Sequence, residues 1–329
     1  MTDPLVPLVA AELALRVDER VTAMAAAIAA QYPGAARAVL FYGSCLREAN
    51  LDGLMLDFYL IVSDYRAAYG PGWLAWANRA IPPNVYPFEH GGLAAKYAVL
   101  SEADFARLCG PEADNVSVWA RFAQPSRLVW AADEGARAAA VAAVASAAPT
   151  LFVLTLPMLE PDASIAETWE RGFALTYGAE LRAERSGRAT SIVASDPERY
   201  AAFGEAALTR LLPGMGRGTA AKRWWRGAST SDSLVGSPLH QPSAGPPPRA
   251  GEDIRAAALW ARLQRRGKWL TLVRLAKATT TFAGGIDYLA WKINRHAGTA
   301  IEIRPWQRRW PIVGALTLLP RLLRRGAVR

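Results

Sequence analysis

The run LMLDFYLIV at residues 54–62 is nearly continuous in apolar residues and carries one charge, Asp57. A segment of this length with apolar groups on both faces has to be covered from two sides, which predicts an interior strand of an α/β sheet. Around it, residues 37–42 give a second short strand ending in Gly43-Ser44. The spacing predicts a helix over 71–81, and strands over 84–88 and 93–100 joined by His90-Gly91-Gly92. One long opening helix is expected over 5–30, closed by Pro33-Gly34. From Ser101, where SEAD reads as a capping box, helical patterns dominate. They include an Ala-rich helix over 134–147 and one running to Leu212 that Asp196 caps.

The 329 residues divide by composition. We expect one α/β domain over 1–148, a small helical unit over 149–212, a Gly/Ser/Pro-rich linker over 213–250 and a basic tail over 251–329. The tail holds 16 Lys and Arg against 4 Asp and Glu, a net +12 in a chain of net +9, so the part before it is net −3. Such a tail suits a polyanionic surface, either anionic lipid or nucleic acid. Trp260, Trp269, Trp306 and Trp310 stand among arginines and leucines, a mixture that favours the headgroup region of a bilayer. The alternative is a helix packed on the body with a solvated basic face. The late apolar run at 312–323 is broken by Pro320 and Arg321, too short to cross a bilayer. Cys45 and Cys109 have no paired spacing, and the acidic first twenty residues do not read as a secretory signal. A reducing cytosol is therefore expected.

The chemistry centres on Gly43-Ser44 and Asp57. Backbone N–H groups at a helix start bind anions, and a strand carboxylate holding Mg²⁺ can offset phosphate charge. Nucleotidyltransferases of the DNA polymerase β-like superfamily use this pair of features. FYGSCLR at 41–47, MLDFYLIVSD at 55–64, NVYPF at 84–88 and KYAVLS at 96–101 resemble, in order, the mitochondrial-type CDP-diacylglycerol synthase (phosphatidate cytidylyltransferase) family. WARFAQPSRLV at 119–129, LTYGAELR at 175–182, IVASDPERYAAF at 192–203 and RLAKATTTFAGGIDYLAWK at 274–292 extend the likeness over most of the chain. Cys45, Ala98, Gln124 and Ala278 depart from the family pattern.

The resemblance implies a nucleotidyltransferase domain with a winged-helix-like helical domain, and a reaction of CTP with phosphatidate that gives CDP-diacylglycerol and pyrophosphate. It implies Asp57 as metal ligand, with Mg²⁺ or another divalent ion. Gly43, Ser44, Arg47 and Lys96 would bind nucleotide, Lys96 would also act in catalysis, and Arg121, Glu180 and Arg182 would contact substrate. A polymerase-like site usually pairs two carboxylates, yet Met55 and Tyr59 flank Asp57 at that spacing. A phosphate monoester is already largely dianionic near pH 7, so it needs no general base, and one carboxylate among cations is enough. The partners expected are CTP and an anionic membrane holding phosphatidate, with the protein peripheral on the cytoplasmic face and no nucleic acid. The alternatives are a nucleotidyltransferase on a soluble acceptor, or a membrane- or nucleic-acid-binding protein whose site has decayed.

Overall fold

The computed structural model describes residues 3–48, 50–160, 162–179, 188–211, 248–281 and 302–309. Five strands, β1 (Ala36–Tyr42), β2 (Met55–Val62), β3 (Asn84–His90), β4 (Leu93–Ser101) and β5 (Ser126–Ala131), form one mixed sheet in the order β3-β4-β2-β1-β5. β2 and β4 run parallel and the other neighbours are antiparallel. The apolar run at 54–62 becomes the central strand. Leu56, Phe58, Leu60 and Val62 enter a core on one face, and Tyr59 and Ile61 enter a second core on the other. The alternation of side chains along a strand explains how one run serves both.

The first core lies under α2 (Glu19–Ala30), α3 (Tyr65–Tyr69) and α4 (Trp73–Ala80). The expected single opening helix is in fact two. α1 (Leu5–Leu13) ends, and Asp18 starts α2 afresh by accepting the Arg20 N–H at 2.8 Å. A capping carboxylate stabilises a new helix start better than a continuation through it. The hairpin β3–β4 turns at Gly91-Gly92 as the sequence suggests. α5 (Glu102–Cys109) is capped by Ser101 through the Asp104 N–H. β5 was not foreseen. It follows α6 (Trp119–Phe122) in a stretch read as helical and pairs with β1 along its length.

The opposite face is covered by α1, α5, α6, α7 (Glu134–Ala145) and a helical unit of α8 (Ala147–Thr155), α9 (Ile165–Tyr177), α10 (Arg188–Ala194) and α11 (Pro197–Leu211). The division expected after residue 148 lies within α8, and one continuous core joins the sheet face to this unit. The stretch 134–158 is long and apolar enough to cross a membrane, yet two-thirds of its apolar window is buried inside the fold. Arg199 fastens the unit to α1. It pairs with Glu12, donates to the Ala123 carbonyl at 3.2 Å and lies over the Tyr200 and Phe203 rings.

The basic segment supplies α12 (Pro248–Thr281) and a short α13 (Pro305–Arg309). α12 packs on the body, as the alternative reading has it. Trp260 is 2% exposed, donates Nε1–H to the Leu154 carbonyl at 2.7 Å and meets Trp119 edge to face. Leu263 is buried beside it, and Gly267 lets the helix approach Ala179 so closely that a Cβ would sit 2.2 Å from its carbonyl oxygen. Farther along, Arg274 donates to the Pro82 carbonyl and the Ser117 hydroxyl, and Lys277 donates to the Ile81 carbonyl. Most of the expected linker, Trp310 and the rest of the tail to 329 lie outside the described residues.

Candidate functional site

Strand register assembles the site. Ser126 on β5 stands opposite Tyr42 on β1, Tyr42 opposite Asp57 on β2, and Asp57 opposite Lys96 on β4. These four side chains therefore form one row across the sheet, on the face that also carries Tyr59 and the helical unit. Tyr59, Tyr42 and Phe122 of α6 pack ring to ring at 5.2 to 5.9 Å and close off the row's inner side. Beyond them the sheet opens to solvent, so Asp57 and Lys96 remain 24% and 32% exposed.

Asp57 Oδ1 and Lys96 Nζ are 2.8 Å apart, a charge-assisted contact at the edge of the core. After Tyr42 the chain turns sharply at Gly43, with φ 97° and ψ −167°, into a 3-10 turn over Ser44–Arg47. This backbone region is essentially reserved for glycine. A Cβ there would lie in ordinary contact with Asp57 Oδ2, at 3.4 Å, so the turn lies directly against the carboxylate and it is the backbone conformation that calls for glycine. Ser44 is exposed at the opening of the turn and Arg47 is exposed at its end. Cys45 points inward, with its thiol 3.6 Å from the Met55 carbonyl. Burial pushes that thiol up, and the Asp57 charge adds to the effect while Lys96 opposes it.

Of the residues singled out from sequence, Gly43, Ser44, Asp57 and Lys96 are brought together. Arg47 stands on the same turn. Arg121 sits on α6, half-buried, and donates to the Ser117 carbonyl beside the aromatic cluster. Glu180 and Arg182 lie outside the described residues. Sequence reasoning did not pick out Tyr42 or Ser126. Tyr42 was within reach, because it precedes Gly43 and shares the period-two face of the strand. Ser126 depended on β5. It is fully buried, and its hydroxyl meets no partner among the described residues.

The donor set bears on a metal. No group of three His, Cys, Asp or Glu converges among the described residues, so there is no cage of protein ligands. Mg²⁺ is commonly held by one or two carboxylates together with substrate phosphates and several waters, and a single carboxylate with one edge open to solvent fits that mode. A hollow of about 610 Å³ between α9 and α10, lined by Glu160, Glu167, Glu170 and Arg171, contains no member of the row. The row is the candidate site because it joins a glycine-only turn to an ion pair. The hollow offers acids on a solvated surface.

No protein-family model and no curated protein sequence matches this chain.

Proposed function

We propose that the chain is a nucleotidyltransferase of the DNA polymerase β-like type. On this reading it joins CTP to the phosphate of phosphatidate, giving CDP-diacylglycerol and pyrophosphate. The observation that carries the reading is the closure of the Gly43 turn over Asp57, whose carboxylate is paired to Lys96 on the adjacent strand. The motif resemblance supplies the substrates: its first four segments fall on β1, β2, β3 and β4 and the turn between the first two, and three of these strands carry Tyr42, Asp57 and Lys96 of the row. The helical domain, winged-helix-like on the same reading, would complete the acceptor side.

In this reaction an oxygen of the acceptor phosphate bonds to the α-phosphorus of CTP and the α–β bridging bond breaks. No proton need be removed from the nucleophile, because the acceptor is already anionic near neutral pH. The barrier is repulsion among anions. Asp57 would hold a divalent ion that arrives with the triphosphate, and that ion supplies charge neutralisation. In the nucleotide-free protein the Lys96 ammonium balances the Asp57 carboxylate. Lys96, beside the carboxylate that would hold the ion, would face the phosphates and stabilise charge developing on pyrophosphate. The Ser44 turn presents backbone N–H groups to the same anion. Arg47 adds exposed positive charge, and Arg121 would meet the acceptor from α6. The aromatic wall of Tyr42, Tyr59 and Phe122 limits water on the inner side.

The test is thin-layer separation of lipid products from labelled CTP and phosphatidate vesicles, with and without Mg²⁺. Metal-dependent label in CDP-diacylglycerol is expected. Absence of product together with absence of metal-dependent CTP binding would refute the reading.

A further inference from the structure

We infer that α4 and the outer side of α12 form a docking surface for anionic bilayers, built on three tryptophans held out into solvent. Trp76, Trp269 and Trp73 are 74%, 66% and 59% exposed, more than any other large apolar side chain among the described residues. Tryptophan is usually well buried, and three left in water on one protein call for a partner.

α4 is a rigid mount and not a loose tip. Its inner side buries Ala75 and Asn78, and Asn78 Nδ2 donates to the Val99 carbonyl of β4 at 2.9 Å. At 100° per residue, Trp73, Trp76 and Arg79 then fall on the outward arc, and all three are exposed. On α12, nine residues separate the buried Trp260 from Trp269, which turns Trp269 to the opposite, solvent side with Lys268 exposed next to it.

The two helices converge. Arg274 and Lys277 of α12 grip the Pro82 and Ile81 carbonyls, directly after the end of α4. Counting about 1.5 Å per residue back along each helix puts Trp76 and Trp269 within about 25 Å of each other, on either side of that joint.

Charge identifies the occupant as anionic lipid. Residues 65–88, which carry α3 and α4, contain two arginines and no acid. Residues 254–281 of α12 contain no acid, and Arg255, Arg262, Arg265 and Lys268 are exposed along it, whereas Arg266 pairs with Asp114 and Arg274 and Lys277 turn to the body. Asp64, the nearest acid before α3, is spent on capping it through the Arg66 and Ala67 N–H groups. Exposed tryptophan set among basic residues suits the headgroup layer, where the indole sits at the interface and each cation meets negative surface potential. The surface takes its purpose from the lipid-substrate reading above, but it can be tested without it.

The experiment is co-sedimentation of the full chain with phosphatidylcholine vesicles, with and without phosphatidylglycerol, across a salt series. It compares the parent with Trp73→Ser/Trp76→Ser and with a control, Leu15→Ser, whose side chain is also exposed. Thermal melts verify folding, and calorimetry with CTP and Mg²⁺ follows nucleotide binding separately. The double variant should partition onto anionic vesicles at least about tenfold more weakly, while the control matches the parent and binding in the parent weakens as salt rises. Equal partition of double variant and parent would overturn the inference. So would equal binding to neutral and anionic vesicles, or a self-association of the chain that the double variant abolishes while vesicle binding persists. Vesicle partition that falls as expected in a protein that binds no CTP would uphold the surface and sink the catalytic reading instead.

Discussion

Replacing Trp260 with alanine asks whether α12 belongs to the folded body or hangs from it. The indole is 2% exposed, meets Trp119 at 6.3 Å between ring centres and donates to the Leu154 carbonyl. Truncating a buried tryptophan costs about 3–5 kcal/mol, from lost transfer energy and the cavity left behind. The stranded Leu154 carbonyl pushes the value toward the upper end of that range. Against a total stability of about 5–15 kcal/mol this is a large fraction, and it should lower Tm on the order of 10 °C. Urea and thermal unfolding followed by circular dichroism would read it. Trp269→Ala, nine residues on and 66% exposed, provides the contrast and should stay within about 0.5 kcal/mol of the parent. If Trp260→Ala is as mild as Trp269→Ala, α12 does not pack as described, and its place in the core is refuted.

Gly43→Ala forces a side chain into a backbone region that costs about 1–3 kcal/mol and so shifts the turn that lies against Asp57, which should lower both melting temperature and turnover. Normal turnover with normal stability would contradict the geometry of the turn. Burial, and then Arg274, push the Lys277 ammonium down to about 7. Between that value and the ordinary 10.5, the unfolded chain holds a proton that the folded chain has shed, so stability rises with pH across this window and the penalty is complete below it. Lys277→Met should therefore be more stable than the parent at pH 7, with the gap narrowing toward pH 10. A gap in urea midpoints that does not change with pH would refute the burial argument.

The central strand was legible because a run apolar on both faces has few homes in a soluble fold, and β2 fills it. The turn and the carboxylate were legible as Gly43 and Asp57 because a glycine at a strand end and a lone charge in an apolar strand each demand a local reason. Their partner row was less so. β5 reads weakly, since Arg127 and Trp130 blur its alternation and the helical α6 runs almost into it, and without β5 Ser126 had no place. Asp18 was hidden inside an Ala- and Leu-rich stretch that suits one helix as well as two. The basic segment was ambiguous for a physical reason: an apolar stripe looks the same whether it meets lipid or protein. Phase was the available signal. Trp260, Leu263, Gly267, Arg274 and Lys277 fall on one side of α12 and Trp269 on the other, so the two tryptophans cannot serve one stripe.

The most direct test of the account is the initial rate of CDP-diacylglycerol formation by Asp57→Asn at saturating Mg²⁺, with melting temperature measured in parallel. The substitution keeps the size of the side chain at a position 24% exposed and removes only its charge, so the fold should hold. The account predicts a rate at least about a thousandfold below the parent, because the charge that holds the metal against the triphosphate is gone. A correctly folded Asp57→Asn protein that turns over near the parental rate would contradict it.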